Sequence, residues 1–323
     1  MSSNTAPASR RWFTKAWLME QKSLIALLLL ITVVSSLSPN FFTLNNLFNI
    51  LQQTSVNAIM AVGMTLVILT SGIDLSVGSL LALTGAVAAS MVGTDSNALV
   101  AVAGALVLGA AIGACTGVIV AKGKVQAFIA TLVMMLLLRG VTRVYTDGSP
   151  INTGFSNNAD LFGWFGIGRP LGIPTPVWIM LLVFVAAWFV LHHTRLGRYI
   201  YALGGNESAT RLSGINVDKI KIIVYSLCGL LAALASIIEV ARLSSAQPMA
   251  GSGYELDAIA AVVLGGTSLA GGKGRIVGTL IGALILGFLN NGLNLLGISS
   301  NYQMIVKAVV ILLAVLVDNK SSK

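Results

Sequence analysis

Long apolar stretches fill most of this 323-residue sequence, and its lysines and arginines fall mainly on alternate connections between them. Hydrophobic residues make up 56% of the chain and charged residues 10%, against about 25% charged in soluble domains. A crossing helix needs about 20 apolar residues, and in lipid only helices and closed barrels satisfy the backbone. Because the apolar residues do not alternate with period two, the sequence predicts an all-α polytopic membrane protein.

About ten crossings are predicted, and the eighth of them is short. In chain order they are Leu24–Leu37, Ile50–Thr70, Leu75–Val92, Ala98–Ala121, Val125–Thr146, Pro176–Leu191, Ile220–Ile238, Ala258–Leu269, Ile276–Asn290 and Tyr302–Val317.

The basic residues predict the orientation of these crossings. With the N-terminus inside, only Arg169 and Arg242 of the 20 lysines and arginines lie on outer connections, while Arg139, Arg143 and Lys307 lie within crossings. The others all lie on inner connections or at the termini. By the positive-inside rule, both termini are cytoplasmic.

Five regions follow from this arrangement. Residues 1–22 form a cytoplasmic N-terminal segment, 23–318 a transmembrane domain, and 319–323 a cytoplasmic tail. Within the domain, an outer loop spans 147–175 and an inner loop spans 195–221. The net charge of +9 is then a topology signal, and nucleic-acid binding is not expected because the chain has no basic soluble domain.

The sequence carries no recognisable catalytic motif. The glycine-rich run 265–274 resembles a phosphate-binding loop, but Thr267 stands where the first glycine belongs and Gly274 replaces the hydroxyl residue that would hold magnesium. The cysteines and histidines lack metal-ligand spacing, so no metal site is expected. The chain is therefore not expected to be an enzyme or to bind a cofactor itself.

Two parts of the sequence resemble each other at an offset of 200 residues. Residues 57–62 match 257–262, and Gly72 and Gly78 correspond to Gly272 and Gly278. Each copy is expected to be a helix, a glycine-bearing turn and a second helix, which is typical of duplicated transporters. The two copies lie six crossings apart in this count, which would make them parallel, whereas an inverted repeat requires an odd number. Either the repeat is not inverted or one crossing is miscounted.

Polar residues inside the predicted crossings are costly and therefore informative. Asp74, at the turn before the third crossing, is expected to cap that helix. Uncharged amides with hydrogen-bonding capacity for sugar hydroxyls are candidates for the translocation path, although bonds between helices would explain them as well. These amides are Gln53, Asn57, Asn290, Asn291 and Asn294.

The inner loop contains a predicted short helix between the pair Gly204–Gly205 and Gly214. Asn206 is a suitable N-cap, and Glu207 and Arg211 lie four residues apart on one face. Such a surface helix is suited to docking a partner protein.

Three motifs give nearly the whole chain a resemblance to the permease subunits of bacterial ABC sugar importers, and within them to those that import ribose in enteric bacteria. They are 70–79 (TSGIDLSVGS), 204–215 (GGNESATRLSGI) and 263–272 (VLGGTSLAGG). The structural residues of the first and third motifs are Gly72, Asp74, Ser76, Gly78, Gly265, Gly266, Gly271 and Gly272.

The resemblance implies a homodimeric permease in the bacterial inner membrane that moves ribose or a related monosaccharide by alternating access. It also implies a separate ABC ATPase subunit that holds ATP and Mg²⁺, and a periplasmic sugar-binding protein. The residues expected to couple to the ATPase are Gly204, Gly205, Asn206, Glu207, Ala209, Arg211, Ser213 and Gly214. An ion-coupled secondary transporter or a facilitator is the alternative.

Overall fold

A computed structural model describes residues 21–321, and most of them lie in thirteen α-helices. The helices are α1 (Lys22–Leu37), α2 (Leu44–Leu69), α3 (Val77–Gly93), α4 (Ala98–Ala121), α5 (Ala127–Thr146), α6 (Asn157–Ile167), α7 (Thr175–His193), α8 (Arg195–Gly205), α9 (Glu207–Leu212), α10 (Val217–Leu243), α11 (Tyr254–Leu264), α12 (Ile276–Leu295) and α13 (Ser300–Ser321). Two short strands, β1 (Ile151–Asn152) and β2 (Ser245–Ala246), pair antiparallel. The predicted segment 1–20 and the end of the predicted tail lie outside the described residues.

The all-α polytopic prediction is confirmed. Seven described helices are long and apolar enough to cross a membrane, namely α2, α4, α5, α7, α10, α12 and α13. The helices α1 and α3 are apolar but shorter.

The eighth predicted crossing, Ala258–Leu269, is wrong in its extent. The helix there, α11, has 11 residues and is about 16 Å long, roughly half the hydrocarbon thickness. It ends at Leu264 because the chain then turns through Gly266, Gly271 and Gly272, whose φ angles of 90°, 91° and 77° are left-handed. The segment 265–275 is irregular and leads back into α12.

The long helix α2 forms the centre of the fold. In the 18-residue stretch of α2 that is apolar enough to span a membrane, 78% of the residues are buried. The helix packs against α7, α10, α11 and α12. It begins where the hydroxyl of Thr43 accepts a hydrogen bond from the Asn46 N–H at 3.2 Å. The helices α5 and α13 lie at the periphery, since only 28% and 0% of the residues in their corresponding stretches are buried.

Small residues allow α4 and α10 to pack backbone against backbone. A Cβ at Gly113 would overlap the carbonyl oxygen of Tyr225, and one at Gly229 would overlap that of Gly109. The glycines spaced four residues apart in α4 therefore provide tight packing between helices, as their spacing indicates.

The connections predicted to share a side of the membrane do lie together. The turn after α2, the segment 265–275 and the α8–α9 loop meet at one end, which we call the inner end because it carries the lysine-rich connections. At the opposite, outer end, Thr153 donates its N–H to Ser244, and Asn158 bonds Asp95. The two groups of connections are separated by the length of the crossing helices.

We predict that Gly113→Val destabilises the protein by about 1–3 kcal/mol, because a β-branched side chain cannot fit against the backbone of α10. The expected result is a lower midpoint of thermal unfolding in detergent, followed by size-exclusion fluorescence. The matched control is Gly140→Val, since a Cβ at Gly140 meets no atom within 4 Å. Equal midpoints for the two variants would contradict the packing described for α4 and α10.

Candidate functional site

The three motifs singled out in the sequence meet at the inner end of the structure. Ser71, with a left-handed φ of 65°, donates from Oγ to the carbonyls of Ala270 at 2.8 Å and Gly204 at 3.2 Å. The Gly272 N–H donates to the Leu69 carbonyl at 3.0 Å. We call this contact of residues 69–72, 204–205 and 270–272 the inner junction.

Glycine is required at the inner junction because backbones touch there. A Cβ at Gly204 would overlap the Leu69 carbonyl oxygen, and one at Gly271 would overlap Ser71 Oγ. A Cβ at Gly272 would lie 2.8 Å from the Gly205 nitrogen. The C-terminal end of α8 is therefore in direct backbone contact with the end of α2 and with segment 265–275.

A tyrosine on α8 adds a further bond between the same segments. The hydroxyl of Tyr201 donates to the Gly274 carbonyl at 2.8 Å. Burial raises the pKa of Tyr201, so the hydroxyl keeps its proton at neutral pH and the bond persists.

The short helix predicted after Gly205 is present as α9. Asn206 caps it by accepting the Ala209 N–H at 2.9 Å, and Ser213 Oγ donates back to the Ala209 carbonyl at 2.8 Å. The helix ends at Leu212, and Gly214 follows with a left-handed φ of 86°. Leu212 is 88% exposed, which leaves an apolar side chain open on this surface.

Ion pairs fix α9 to the first turns of α10. Glu207 bonds Lys221 at 3.1 Å and Arg211 at 3.4 Å, and Arg211 also lies 3.3 Å from Asp218. Each of these ion pairs stabilises the protein only slightly, because Arg211 and Glu207 are about half exposed to solvent. Together they connect α9 to a helix that crosses the membrane.

The remaining motif residues organise close contacts between helices. Asp74 is buried, and its Oδ1 accepts the Ser76 N–H at 2.9 Å and the Ser76 hydroxyl. It thus orders the turn before α3, whose N-cap residue is Ser76. A Cβ at Gly78 would overlap the Gly251 carbonyl, and Gly265 and Gly278 exclude side chains from each other in the same way.

A polar cavity of about 160 Å³ lies towards the outer end, between α2, α10, α11 and α12. Three of the five amides predicted for the translocation path line it, namely Gln53, Asn57 and Asn290. The other two bond elsewhere. Asn291 exchanges hydrogen bonds with Asn46 at 2.9 and 3.1 Å, and Asn294 accepts from Gln303 at 2.6 Å.

Charged residues that the sequence did not indicate as path candidates also line this cavity. Glu239, Arg242 and Asp257 belong to its wall together with the uncharged Tyr254, and Lys307 forms an ion pair with Asp257 at 2.8 Å. In the sequence these residues stand at the ends of predicted crossings, where exposure to water is expected. The charged side chains could be recognised in the sequence, but the course of the chain between α10 and α11, which brings them to the cavity, could not be predicted from it.

That path is an irregular segment, 247–253, which runs from β2 to the start of α11. Arg139 on α5 holds it by donating from Nη1 to the carbonyls of Ala250 at 2.7 Å and Pro248 at 3.1 Å. The partners of this arginine within the membrane domain are therefore backbone carbonyls. The guanidinium group of Arg143 donates instead to the sulfur of Met249, at 3.1 Å.

The family comparison agrees with this architecture. Residues 46–315 match the family described as branched-chain amino acid transport system / permease component. The chain belongs to this permease family. No solved structure gives a significant match.

Individual relatives match the permease over nearly its whole length. The ribose import permease protein RbsC of Escherichia coli K12 is 89% identical over 313 residues, which cover 97% of this chain and 98% of that protein. RbsC of Haemophilus influenzae is 67% identical over 94% of both chains. The D-allose transport system permease protein AlsC of E. coli K12 is 42% identical over 92% of this chain and 90% of that protein.

We predict that Arg139→Met loosens segment 247–253, because two backbone carbonyls lose their charged donor inside the membrane domain. Amide hydrogen exchange in this segment should then become about tenfold faster, as measured by mass spectrometry of the protein in nanodiscs. Arg143→Met is the matched control, and it should change exchange much less, because Arg143 contacts this segment only through the side-chain sulfur of Met249 and bonds none of its backbone carbonyls. Equal exchange in the two variants would show that Arg139 does not hold the segment.

Proposed function

We propose that this permease is the membrane-spanning subunit of an ATP-driven, binding-protein-dependent importer that carries ribose, or a related monosaccharide, across the bacterial inner membrane. The observation that carries the proposal is the 89% identity, along 97% of the chain, to a ribose import permease. Identity falls to 42% for an allose permease and 36% for a xylose permease. This gradient favours ribose over the other two sugars.

ATP and Mg²⁺ are proposed to bind a separate ATPase subunit. The glycine-rich turn of this chain uses its backbone N–H groups for its own contacts. Gly272 donates to Leu69, Gly271 donates to Ser268 at 3.1 Å, and Ser268 donates to the Lys273 carbonyl at 2.9 Å. A phosphate-binding loop instead points free N–H groups at its ligand.

The helix α9 is proposed to dock the ATPase subunit. It is exposed at the inner end, its cap and ion pairs make it a rigid unit, and Gly204 connects it to the inner junction. A shift of α9 would therefore move the ends of α2 and α11 together. The ATPase biases this movement to the extent that its ATP and ADP states contact α9 differently.

The outer end and the periphery suit the other proposed partners. Exposed apolar side chains lie in and beside the 147–175 loop, with Phe155 fully exposed and Leu171 90% exposed, and offer a surface for the periplasmic binding protein. The apolar faces of α5 and α13 are available for lipid and for a second copy of the chain in a homodimer.

Uptake of radiolabelled ribose into proteoliposomes tests the whole proposal. The permease is reconstituted with its ATPase and binding protein, and each component or internal ATP is omitted in turn. Accumulation is expected only when all are present. Passage of ribose through the permease alone would make it a facilitator, and accumulation driven by an ion gradient would make it a secondary transporter.

We predict that Glu207→Arg reduces uptake at least tenfold while the protein still reaches the membrane, because it reverses a charge on α9 and removes two ion pairs to Arg211 and Lys221. Glu207→Gln loses the ion pairs but does not reverse the charge, so uptake by this variant should fall less. The control is Lys122→Glu, an exposed charge reversal on the α4–α5 connection. Normal uptake and normal ATPase assembly by Glu207→Arg would argue against docking through α9.

A further inference from the structure

The outer polar cavity contains buried oxygen atoms that have no partner. Thr54 Oγ1, Asn57 Oδ1 and Glu239 Oε2 are each inaccessible and make no hydrogen bond, and all three belong to residues that line this cavity. Thr54 and Glu239 are only 5% and 6% exposed. An unsatisfied buried polar atom is costly, and a carboxylate oxygen within a membrane domain especially so. Thr54 Oγ1 packs against Gly287, where an added Cβ would overlap it. Asn57 Oδ1 and Glu239 Oε2 remain, and two such acceptors at one cavity indicate a ligand that donates hydrogen bonds.

Glu239 is held in a defined position. Its Oε1 accepts the hydroxyl of Tyr254 at 2.5 Å, which links α10 to the first turn of α11. This contact fixes the carboxylate and leaves Oε2 available to a ligand. A charged acceptor that is oriented in advance binds a hydroxyl more strongly than a mobile one does.

The charges around the cavity favour a neutral ligand. Glu239 and Asp257 contribute two negative charges, while Arg242 and Lys307, which is paired with Asp257, contribute two positive charges. Within residues 21–321, no group of three or more His, Cys, Asp or Glu side chains is placed to hold a metal ion. The equal numbers of positive and negative charges at the cavity suit a molecule with many hydroxyls and no net charge.

The size of the cavity fits the same class of ligand. Its volume of about 160 Å³ corresponds to about five water molecules at roughly 30 Å³ each. Gln53 at its edge is exposed, which gives access from outside the helix bundle. The lining of carboxylate, amide, hydroxyl and tyrosine side chains offers several acceptors and donors at close spacing.

We propose that this cavity is a monosaccharide-binding site within a single protomer, in which Glu239 Oε2 and Asn57 Oδ1 accept hydrogen bonds from sugar hydroxyls. Tyr254 is the positioning residue that orients Glu239. The choice of a sugar as ligand rests on the proposed function. The site itself is assembled from α2, α10, α11 and α12 of one chain and needs no residue from a second copy.

Protection from thiol labelling tests the site directly. A cysteine is introduced by Gln53→Cys in a Cys115→Ser background, which removes the exposed native thiol and leaves the buried Cys228. The purified full chain in nanodiscs is labelled with a charged methanethiosulfonate, with and without ribose, allose or xylose. Ribose is expected to slow labelling at least fivefold. A cysteine introduced by Ser149→Cys, exposed on the outer loop, should be labelled at the same rate with or without sugar.

The role of Glu239 is tested in the same background. Glu239→Gln should raise the ribose concentration that gives half-protection about tenfold, as expected for the loss of a charged acceptor, and Tyr254→Phe should raise it less. Asp160→Asn on the outer helix α6 is the control and should have no effect. The labelling rate without sugar and the size-exclusion profile report whether each variant is folded.

Labelling that is equal with and without every sugar would mean that the cavity holds water only, and would overturn the inference. If the reconstituted importer still accumulated ribose, the proposed function would stand alone. Protection by a sugar in a chain that supports no uptake would leave the binding site standing and refute the importer. Protection that is unchanged in Glu239→Gln would show that Oε2 does not bind the sugar.

Discussion

The irregular segments within this membrane domain depend on backbone groups finding hydrogen-bond partners inside the protein. Among the non-helical segments of the described chain, those at 70–76, 247–253 and 265–275 show this directly. The first and third satisfy each other, since Leu69 accepts from Gly272 and Ser71 donates to Ala270. The second receives its donors from Arg139. Only where such contacts exist can a helix as short as α11 end within the bundle.

The features that follow from local chemistry were predictable from the sequence. Apolar length predicted the seven described helices that are long enough to cross a membrane and the shorter α1 and α3. The distribution of lysine and arginine predicted which connections lie together. Asn206 predicted the start of α9, because a capping side chain acts within three residues of itself. The glycines of α4 likewise predicted close packing, although not that α10 is the helix they contact.

The features that were missed depend on residues far apart in sequence. Nothing local distinguishes an arginine that reaches lipid headgroups from Arg139, whose carbonyl partners lie 109 and 111 residues away. The acceptor Glu239 was overlooked because a polar residue near a helix end normally meets water. The sequence also could not distinguish amides that line a path from amides that bond between helices, and the structure contains both kinds. Asn57 lines the cavity, whereas Asn291 is hydrogen-bonded to Asn46.

The inner junction joins three segments that are far apart in the sequence. Residues 204–205 end α8 directly before α9, while 69–72 and 270–272 belong to the turns of the two helix–turn–helix units. Because the contact is made largely by backbone atoms, little side-chain rearrangement could absorb a displacement there. The geometry is therefore that of a rigid linkage between the end of α8 and both turns.

The three motifs that reveal the family all contribute to one joint at the inner end. Gly204, Gly271 and Gly272 are fixed there by the lack of room between backbones and not by contact with a substrate. A search for relatives by these motifs therefore finds proteins that share this joint, and it reports nothing about the lining of the outer cavity.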